Sequence, residues 1–486
     1  MNNWNDKSLL RTTLATSKRQ TRQALCACLL FLAWLVPFKA PAKNVLITDF
    51  GAISDSTHVS TTAIQQAIDA CAASGGGRVI IPTGSFMTGT LWLRSHVELY
   101  LERNARLLGA LRVPEDYPVR ALIYAEGIEN AGISGYGTID GYFNHPIYKG
   151  QFKVNDGKRP LGIFFNNCKN MSIRNVHIVN AGSWTLRLLK CNGVHIDGIT
   201  IRSLAQGNND GIDIDACNVT ISNCNIMCDD DAICLKSDLQ DFMPENITVT
   251  NCILASNCNP IKLGTSSYAG FRNVAFSNCV IRRTDESNVW DWSKEYRKVA
   301  AGTLTGLSGI TVQSVDGGIV ENISFNNIIM EGIITPIFVC LNHRHGDHGT
   351  IRNLQFSNIT ARAEGILPCI ISGVPDNSIG DIILRDIVVE HAGEEQPMQK
   401  SLPENLKGYP ENRMYGPENP AGGLYVRHAS NITVENFQVR HRATDYRPTV
   451  VLDDVTDFRL RGLKVWNSGS KKKVQATGCK QITIEE

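Results

Sequence analysis

From Asn170 onward one phrase recurs along the chain: Asn, then alternating hydrophobic and variable positions, an Asn or Asp, and a hydrophobic residue three places later. Its copies begin at Asn170, Gly193, Asn218, Asn246, Asn273, Asn322, Asn353, Asp381, Asn431, Asp457 and Gln481. Successive starts lie 23, 25, 28, 27, 49, 31, 28, 50, 26 and 24 residues apart. A period of about 25 residues marks a solenoid. The gaps of 49 and 50 are near double the rest, so each is expected to hide a degenerate turn.

Alternation with period two, rich in Val, Ile, Thr and Phe and bounded by Asn, Gly or Asp, predicts strands and turns. One such strand cannot bury its inner face alone, but stacked coils can, each pairing its backbone with the coils on either side. The expected fold is therefore all-β, a single-stranded right-handed parallel β-helix. Asn175, Asn223, Asn251, Asn278, Asn327 and Asn358 share one phase, where their amides can form a ladder along the axis. Cys224, Cys252 and Cys279 occupy a slot that later copies fill with Ile328 and Ile359, so these thiols are expected in the core and reduced.

Two segments break the pattern. Residues Thr61 to Ala73 carry apolar positions at helical spacing and stop at Gly75-Gly76-Gly77, which predicts a helix capping the open end of the stack. Residues Glu394 to Pro420 lose all alternation and read as a long excursion, placed over a cleft. The organisation expected is a signal peptide over 1–42, a cap with the first coils over 43–125, and the β-helix over 126–486, continuous with the cap.

Charge narrows the function classes. With 48 Lys and Arg against 47 Asp and Glu, the chain is neither a polybasic nucleic-acid binder nor a disordered acidic tail. Arg11, Lys18, Arg19 and Arg22 precede an apolar run from Ala24 to Phe38 and the small-residue site Ala40-Pro41-Ala42. That order describes a secretory signal. The apolar run is shorter than the roughly 20 residues a bilayer span needs. The expectation is export to the periplasm or beyond, with no membrane span after cleavage.

Chemistry concentrates in two acidic clusters one coil apart, Asn208-Asn209-Asp210-Gly211 through Asp215, and Asp229-Asp230-Asp231 through Lys236. Carboxylates held together repel, and a site can use that repulsion to keep one of them protonated as an acid while others accept protons. Asp-rich loops also ligate calcium or sit as solvated turns. Spacing alone leaves these readings open.

Further motifs are more specific. Asp49-Phe-Gly-Ala52, Thr62-Ala-Ile-Gln-Gln-Ala-Ile68, Gly75-Gly-Gly-Arg-Val-Ile-Ile-Pro82 and Gly135-Tyr-Gly-Thr-Ile-Asp-Gly141 lead into the Asn-x-Asp-Gly and Asp-Asp motifs at Asn208–Gly211 and Asp230–Asp231. Over nearly all of the chain beyond the signal segment, this sequence resembles the polygalacturonase family of glycoside hydrolases, family 28. The resemblance implies inverting hydrolysis of an α-linked pectic polysaccharide or oligosaccharide by a monomer without cofactor or metal. Asp230 would be the acid, and Asp210 with Asp231 the bases. Substrate contacts are expected from Asn209, Lys236, Asn259, Lys262, Arg344 and His345.

The chain departs from that family at two places. Asn259 stands where a Gly-His-Gly motif has its histidine, and Thr311-Val312-Gln313 where an Arg-Ile-Lys motif has its cations. A clefted sugar carboxylate without a cation is poorly solvated. These losses point to action on chain ends or galacturonate branches, to a neutral glycone contacted by Asn259, Thr311 and Gln313, or to a non-hydrolytic binding β-helix. His343-Arg-His-Gly-Asp-His348 has zinc-ligand chemistry without a zinc spacing, and is read as a loop facing substrate.

Overall fold

The computed structural model describes residues 43–151, 157–396, 398 and 402–485. The proposed signal peptide lies outside them. Within them, 32 strands join in one sheet system, and the strand pairs that link successive coils are parallel. The fold is a right-handed parallel β-helix. Among the described residues no helix is long and apolar enough to cross a membrane.

The repeat is the source of the stacking. Inner positions of one coil sit on those of the next, as in Phe276↔Phe325↔Phe356, whose rings stack with centroids 5.5 and 5.0 Å apart. Cys279, Ile328, Ile359 and Ile387 form another inner file. The cysteines described are all free, and only Cys217 and Cys479 are not fully buried.

Two ladders run down the outside, where the sequence predicted one. At the expected phase Asn223 donates to Asp197 at 2.7 Å and Asn327 to Asn278 at 2.8 Å. A second file joins Asn218, Asn246, Asn273, Asn322 and Asn353, each donating to its predecessor at 2.7–3.2 Å. Both files turn through φ of 50–60°. Asn tolerates that left-handed region better than other side-chain-bearing residues, and its amide bonds to the next coil, so one residue type meets both demands.

The long gaps do not hide extra turns. Asn322 bonds directly to Asn273 at 3.2 Å and Asn431 to Asp381 at 2.6 Å, so each gap is one coil. The surplus residues form insertions over 283–305 and 392–423, both placed just before a strand of the same face. A long loop costs little more closure entropy than a short one, so a coil can carry an insertion while its neighbours stay in register.

The helix α1 (Thr61–Ala73) occupies the predicted span and buries Ile64, Ala67, Ile68 and Cys71 against the first coils. It ends where Gly76 takes φ 99°, with a would-be Cβ only 2.4 Å from the His96 carbonyl oxygen. One hydrophobic core then runs from Val45 to Leu460. Replacing the middle ring of the aromatic stack leaves a void between two fixed neighbours. Phe325→Ala is expected to destabilise the fold by about 3–5 kcal/mol, read as a lowered urea midpoint against wild type.

Candidate active site

Strand pairing brings the two acidic clusters together. The Gly211 amide donates to the Asp231 carbonyl at 2.8 Å, which stacks the Asp210 turn on the Asp229–Asp231 turn. The next coil adds Asn259 and Lys262. Asp210 accepts from the Lys236 ammonium at 3.2 Å, and Asp213 lies 3.0 Å from the same ammonium. Asp231 takes Lys262 at 2.9 Å on one oxygen, with the Asn259 amide at 2.8 Å and backbone NH at 3.2 Å on the other.

Four carboxyls, Asp210, Asp213, Asp230 and Asp231, thus share two ammonium groups in a volume largely closed to water. Two positive charges can offset two negative ones, and a dry interior does not tolerate the surplus. Burial raises the pKa of Asp213 well above the ordinary range, reinforced by the charge on Asp210. Burial likewise raises Asp230, with Asp210 and Asp231 adding repulsion. For Asp231 burial opposes ionisation, yet Lys262 and Lys236, together with the Lys262 and Asn259 hydrogen bonds, outweigh it and hold its pKa low. Asp213 is fully enclosed, whereas Asp230 keeps part of its surface accessible. Of the two carboxyls pushed toward the protonated form, only Asp230 can reach a ligand.

Asp229 is not part of that exchange. It accepts from Asn257 at 2.7 Å, Ser287 at 2.8 Å and the Asn288 backbone at 3.0 Å, which ties the 283–305 insertion to the Asp229–Asp231 turn. Asp215 is buried near Arg187, at 3.7 Å, and its pKa is pushed up to about 6, chiefly by burial.

The expected substrate contacts separate into groups. Asn209 is fully buried, donates to the Ala181 and Ser183 carbonyls at 2.9 and 3.2 Å and accepts from the Gln206 amide, so it braces its own loop and has no group left for a sugar. Asn259 is spent on Asp231 and on the Thr311 hydroxyl at 3.1 Å, so it orients a carboxylate. Lys236 and Lys262 are buried counter-ions of the aspartates. Arg344 grips Asp316 through two bonds of 2.9 and 2.7 Å, and half-exposed His345 lies 3.1 Å from the same carboxylate. These two stand together at the rim. Thr311 and Gln313 are enclosed, Gln313 donating to the Pro410 carbonyl, which removes the contacts a neutral glycone was expected to make.

Other imidazoles of the His343–His348 run do not converge: His343 faces Asp376 at 3.7 Å and His348 faces Asp347 at 3.0 Å. The closest metal-like grouping is Asp210, Asp231 and Cys234, whose ligating atoms lie within 4.8 Å of one another. Lys236 reaches the Cys234 sulfur at 3.3 Å and Lys262 holds Asp231, so two fixed positive charges already occupy the surroundings a divalent ion would need.

Residues that the repeat could not flag complete the site. Within the 392–423 excursion the Tyr409 hydroxyl lies 3.3 Å from Thr265, and buried Glu411 feels Lys262 and Asp231 while bonding to Arg413. The two insertions also meet: Tyr296 donates to Asn412 at 2.5 Å, and Arg297 holds Glu394 at 2.9 Å and Glu418 at 3.0 Å. Toward the lower-numbered coils the surface opens instead. A cavity of 260 Å³ is lined by Arg120, Arg159, Trp184 and Asn208, and one of 820 Å³ by Lys149, Arg159, Gln206 and Asn288. The Trp184 ring lies 4.8 Å from the Lys236 ammonium.

With this geometry in hand, comparison with known proteins is decisive for the family. The model of glycosyl hydrolases family 28 matches residues 71–400. The chain belongs to that family. A probable polygalacturonase of Vitis vinifera is 28% identical over 228 residues, covering 41% of this chain and 46% of that relative. The exopolygalacturonase clone GBGE184 of Arabidopsis thaliana is 26% identical over 330 residues, covering 64% and 71%. The solved structure of a hyperthermoactive exopolygalacturonase from Thermotoga maritima superposes with a TM-score of 0.62 at 21% identity, covering 82% of this chain and 92% of that one. The chain thus spans just under half of the Vitis relative, and the structural likeness, at this identity, speaks for the fold alone.

The anchoring of the 283–305 insertion can be tested by itself. Asp229→Ala removes the acceptor of three hydrogen bonds and leaves the buried Asn257 amide short of a partner, at about 1–3 kcal/mol. Amide exchange around Asn288 is expected to quicken by at least tenfold in this variant, with exchange in the distant Phe325 stack unchanged.

Proposed function

We propose that the protein is an inverting glycoside hydrolase that releases α-linked uronic-acid units from the end of a pectic chain. The observation that carries this reading is the split between neighbouring carboxyls: Asp230, partly accessible and with its pKa raised by burial and by Asp210 and Asp231, beside Asp231, held ionised by Lys262. Single-displacement hydrolysis requires one carboxyl that protonates the leaving oxygen and another, kept ionised, that activates a water on the opposite face of the sugar.

In that reaction Asp230 gives its proton to the glycosidic oxygen as the bond from the anomeric carbon to that oxygen breaks. Water attacks the same carbon from the opposite face and passes a proton to Asp231, with Asp210 alongside. Asp230 is left ionised and Asp231 protonated, and solvent exchange resets both. Lys236 and Lys262 take no proton; their charges keep Asp231 ionised where burial alone would neutralise it.

Cleavage from chain ends is supported by the excursion. Tyr409, Pro410 and Glu411 pack on Thr265, Gln313 and Lys262, so the groove meets a wall on the side of the higher-numbered coils while cavities open on the other. The name of the Arabidopsis relative, an exopolygalacturonase, agrees with this mode. Action outside the cytoplasm belongs to the same reading and rests on the sequence of residues 1–42.

Digestion of polygalacturonate and of short oligogalacturonides, followed by proton NMR during the first turnovers, tests the proposal. The expected record is small products from the outset, a β-anomer formed first, and a kcat for Asp230→Asn lowered by about 10²–10⁴-fold. Products of random length would overturn the chain-end mode, and an α-anomer formed first would overturn inversion.

A further inference from the structure

The positive charge of this chain is unevenly placed. Residues 458–484 carry seven cations, Arg459, Arg461, Lys464, Lys471, Lys472, Lys473 and Lys480, and no acid. Removing those seven from the formal net charge of +1 leaves the rest of the chain at −6. This segment makes up the last described coil apart from its final residue, the exposed acid Glu485, with strands Lys464–Ser468, Val474–Thr477 and Lys480–Glu485, and all seven cations are exposed.

Elsewhere along the sheets several arginines meet a glutamate on a neighbouring rung. Arg272 meets Glu245 at 2.6 Å, Arg352 meets Glu321 at 2.6 Å and Arg385 meets Glu435 at 2.8 Å. In the last coil Arg461 still reaches Glu435 at 3.2 Å and Arg459 lies 3.8 Å from Asp457. None of the five lysines pairs with a described acid. Like charges crowded in one turn repel, so Lys471, Lys472 and Lys473 lower the stability of the free protein slightly and gain when a polyanion spreads over them.

An aromatic surface accompanies the charge. Trp466 is 41% exposed, and Arg440 lies over its ring, 5.0 Å from the centroid. Lys464 and Trp466 alternate along one strand and so face the same side, while the intervening Val465 turns inward. An exposed indole face offers a platform for a sugar ring, and ammonium groups beside it suit a carboxylate on that ring or its neighbour.

Position along the stack separates this surface from the catalytic turn. Leu235, Leu263, Val312, Val339, Ile371, Val426, Leu452 and Ala476 are successive partners, so the lysine turn before Val474 lies seven rungs from the turn that holds Asp231. At about 4.8 Å per rung that is roughly 34 Å, on the same face and beyond the 392–423 insertion. A polymer engaged here does not occupy the catalytic groove at that point.

We propose that the last coil is a second, non-catalytic binding surface for an acidic polysaccharide, with Lys471, Lys472 and Lys473 taking uronate carboxylates and Trp466 a sugar ring. It rests on the pectic reading of the active site and adds an anchor that keeps the enzyme on polymer between cleavages. Affinity electrophoresis in gels containing polygalacturonate tests it, using Asp230→Asn to prevent turnover, with and without Lys471→Glu, Lys472→Glu and Lys473→Glu combined. The triple change is expected to weaken retention by polygalacturonate at least tenfold, to abolish its dependence on salt, and to leave hydrolysis of a galacturonate trimer by the otherwise wild-type enzyme within twofold. Trp466→Ala is expected to weaken retention by polygalacturonate but not by dextran sulfate. Unchanged retention of the triple variant, or equal loss of both polymers on Trp466→Ala, would overturn the proposal. Lysine-dependent retention without any hydrolysis of galacturonides would instead defeat the catalytic reading and leave the anchor standing.

Discussion

Four carboxyls and two ammonium groups packed into one nearly dry volume set the conditions for everything else at this site. Lys236 and Lys262 compensate two negative charges, and the remaining two carboxyls, Asp213 and Asp230, are driven toward the neutral form by burial and by the acids beside them. Accessibility then distinguishes these two: Asp213 is fully enclosed beside Lys236, while Asp230 keeps part of its surface accessible. In the proposed reaction the proton donor thus arises from the shortage of positive charge, and no single residue has to be specialised for it.

Holding that arrangement requires a scaffold that does not relax. Asp210, Asp231 and Lys262 come from consecutive coils, and their spacing is fixed by backbone hydrogen bonds between coils and by the Asn files that turn each corner. The insertions use the same logic. Each replaces one turn in the row that carries the carboxyls, so both arrive beside the site, and ion pairs such as Arg297 with Glu394 lock them to one another. Asp229 couples this superstructure to the turn that carries Asp230.

Much of this was legible in the sequence. The repeat set the strands, the Asn corners and the buried cysteines, because each depends on local conformation and on a period that reads out directly. The span of α1 followed from helical spacing and the glycines after it. Doubled gaps were misread because spacing alone cannot distinguish a degenerate coil from one coil with a long loop; Asn322 stacked on Asn273 decides it. The acidic motifs located the site, but Asn209 shares their composition while serving its own loop, and Asn259 reads as a missing histidine while serving Asp231. Tyr409 and Glu411 lie in the excursion that lost alternation marks, but nothing in one dimension singles them out within it, since their role comes from contact with Lys262 and Thr265 roughly 145 positions earlier in the chain.

Carboxyl-carbon NMR on protein labelled with ¹³C-aspartate, titrated across pH and assigned with Asp230→Asn and Asp231→Asn, observes the decisive charge states directly. Asp230 is expected to remain protonated well above 3.8, the ordinary value for an aspartate, while Asp231 is still ionised below it. Titration of both carboxyls together near 3.8, or Asp231 gaining its proton before Asp230 as pH falls, would contradict the account.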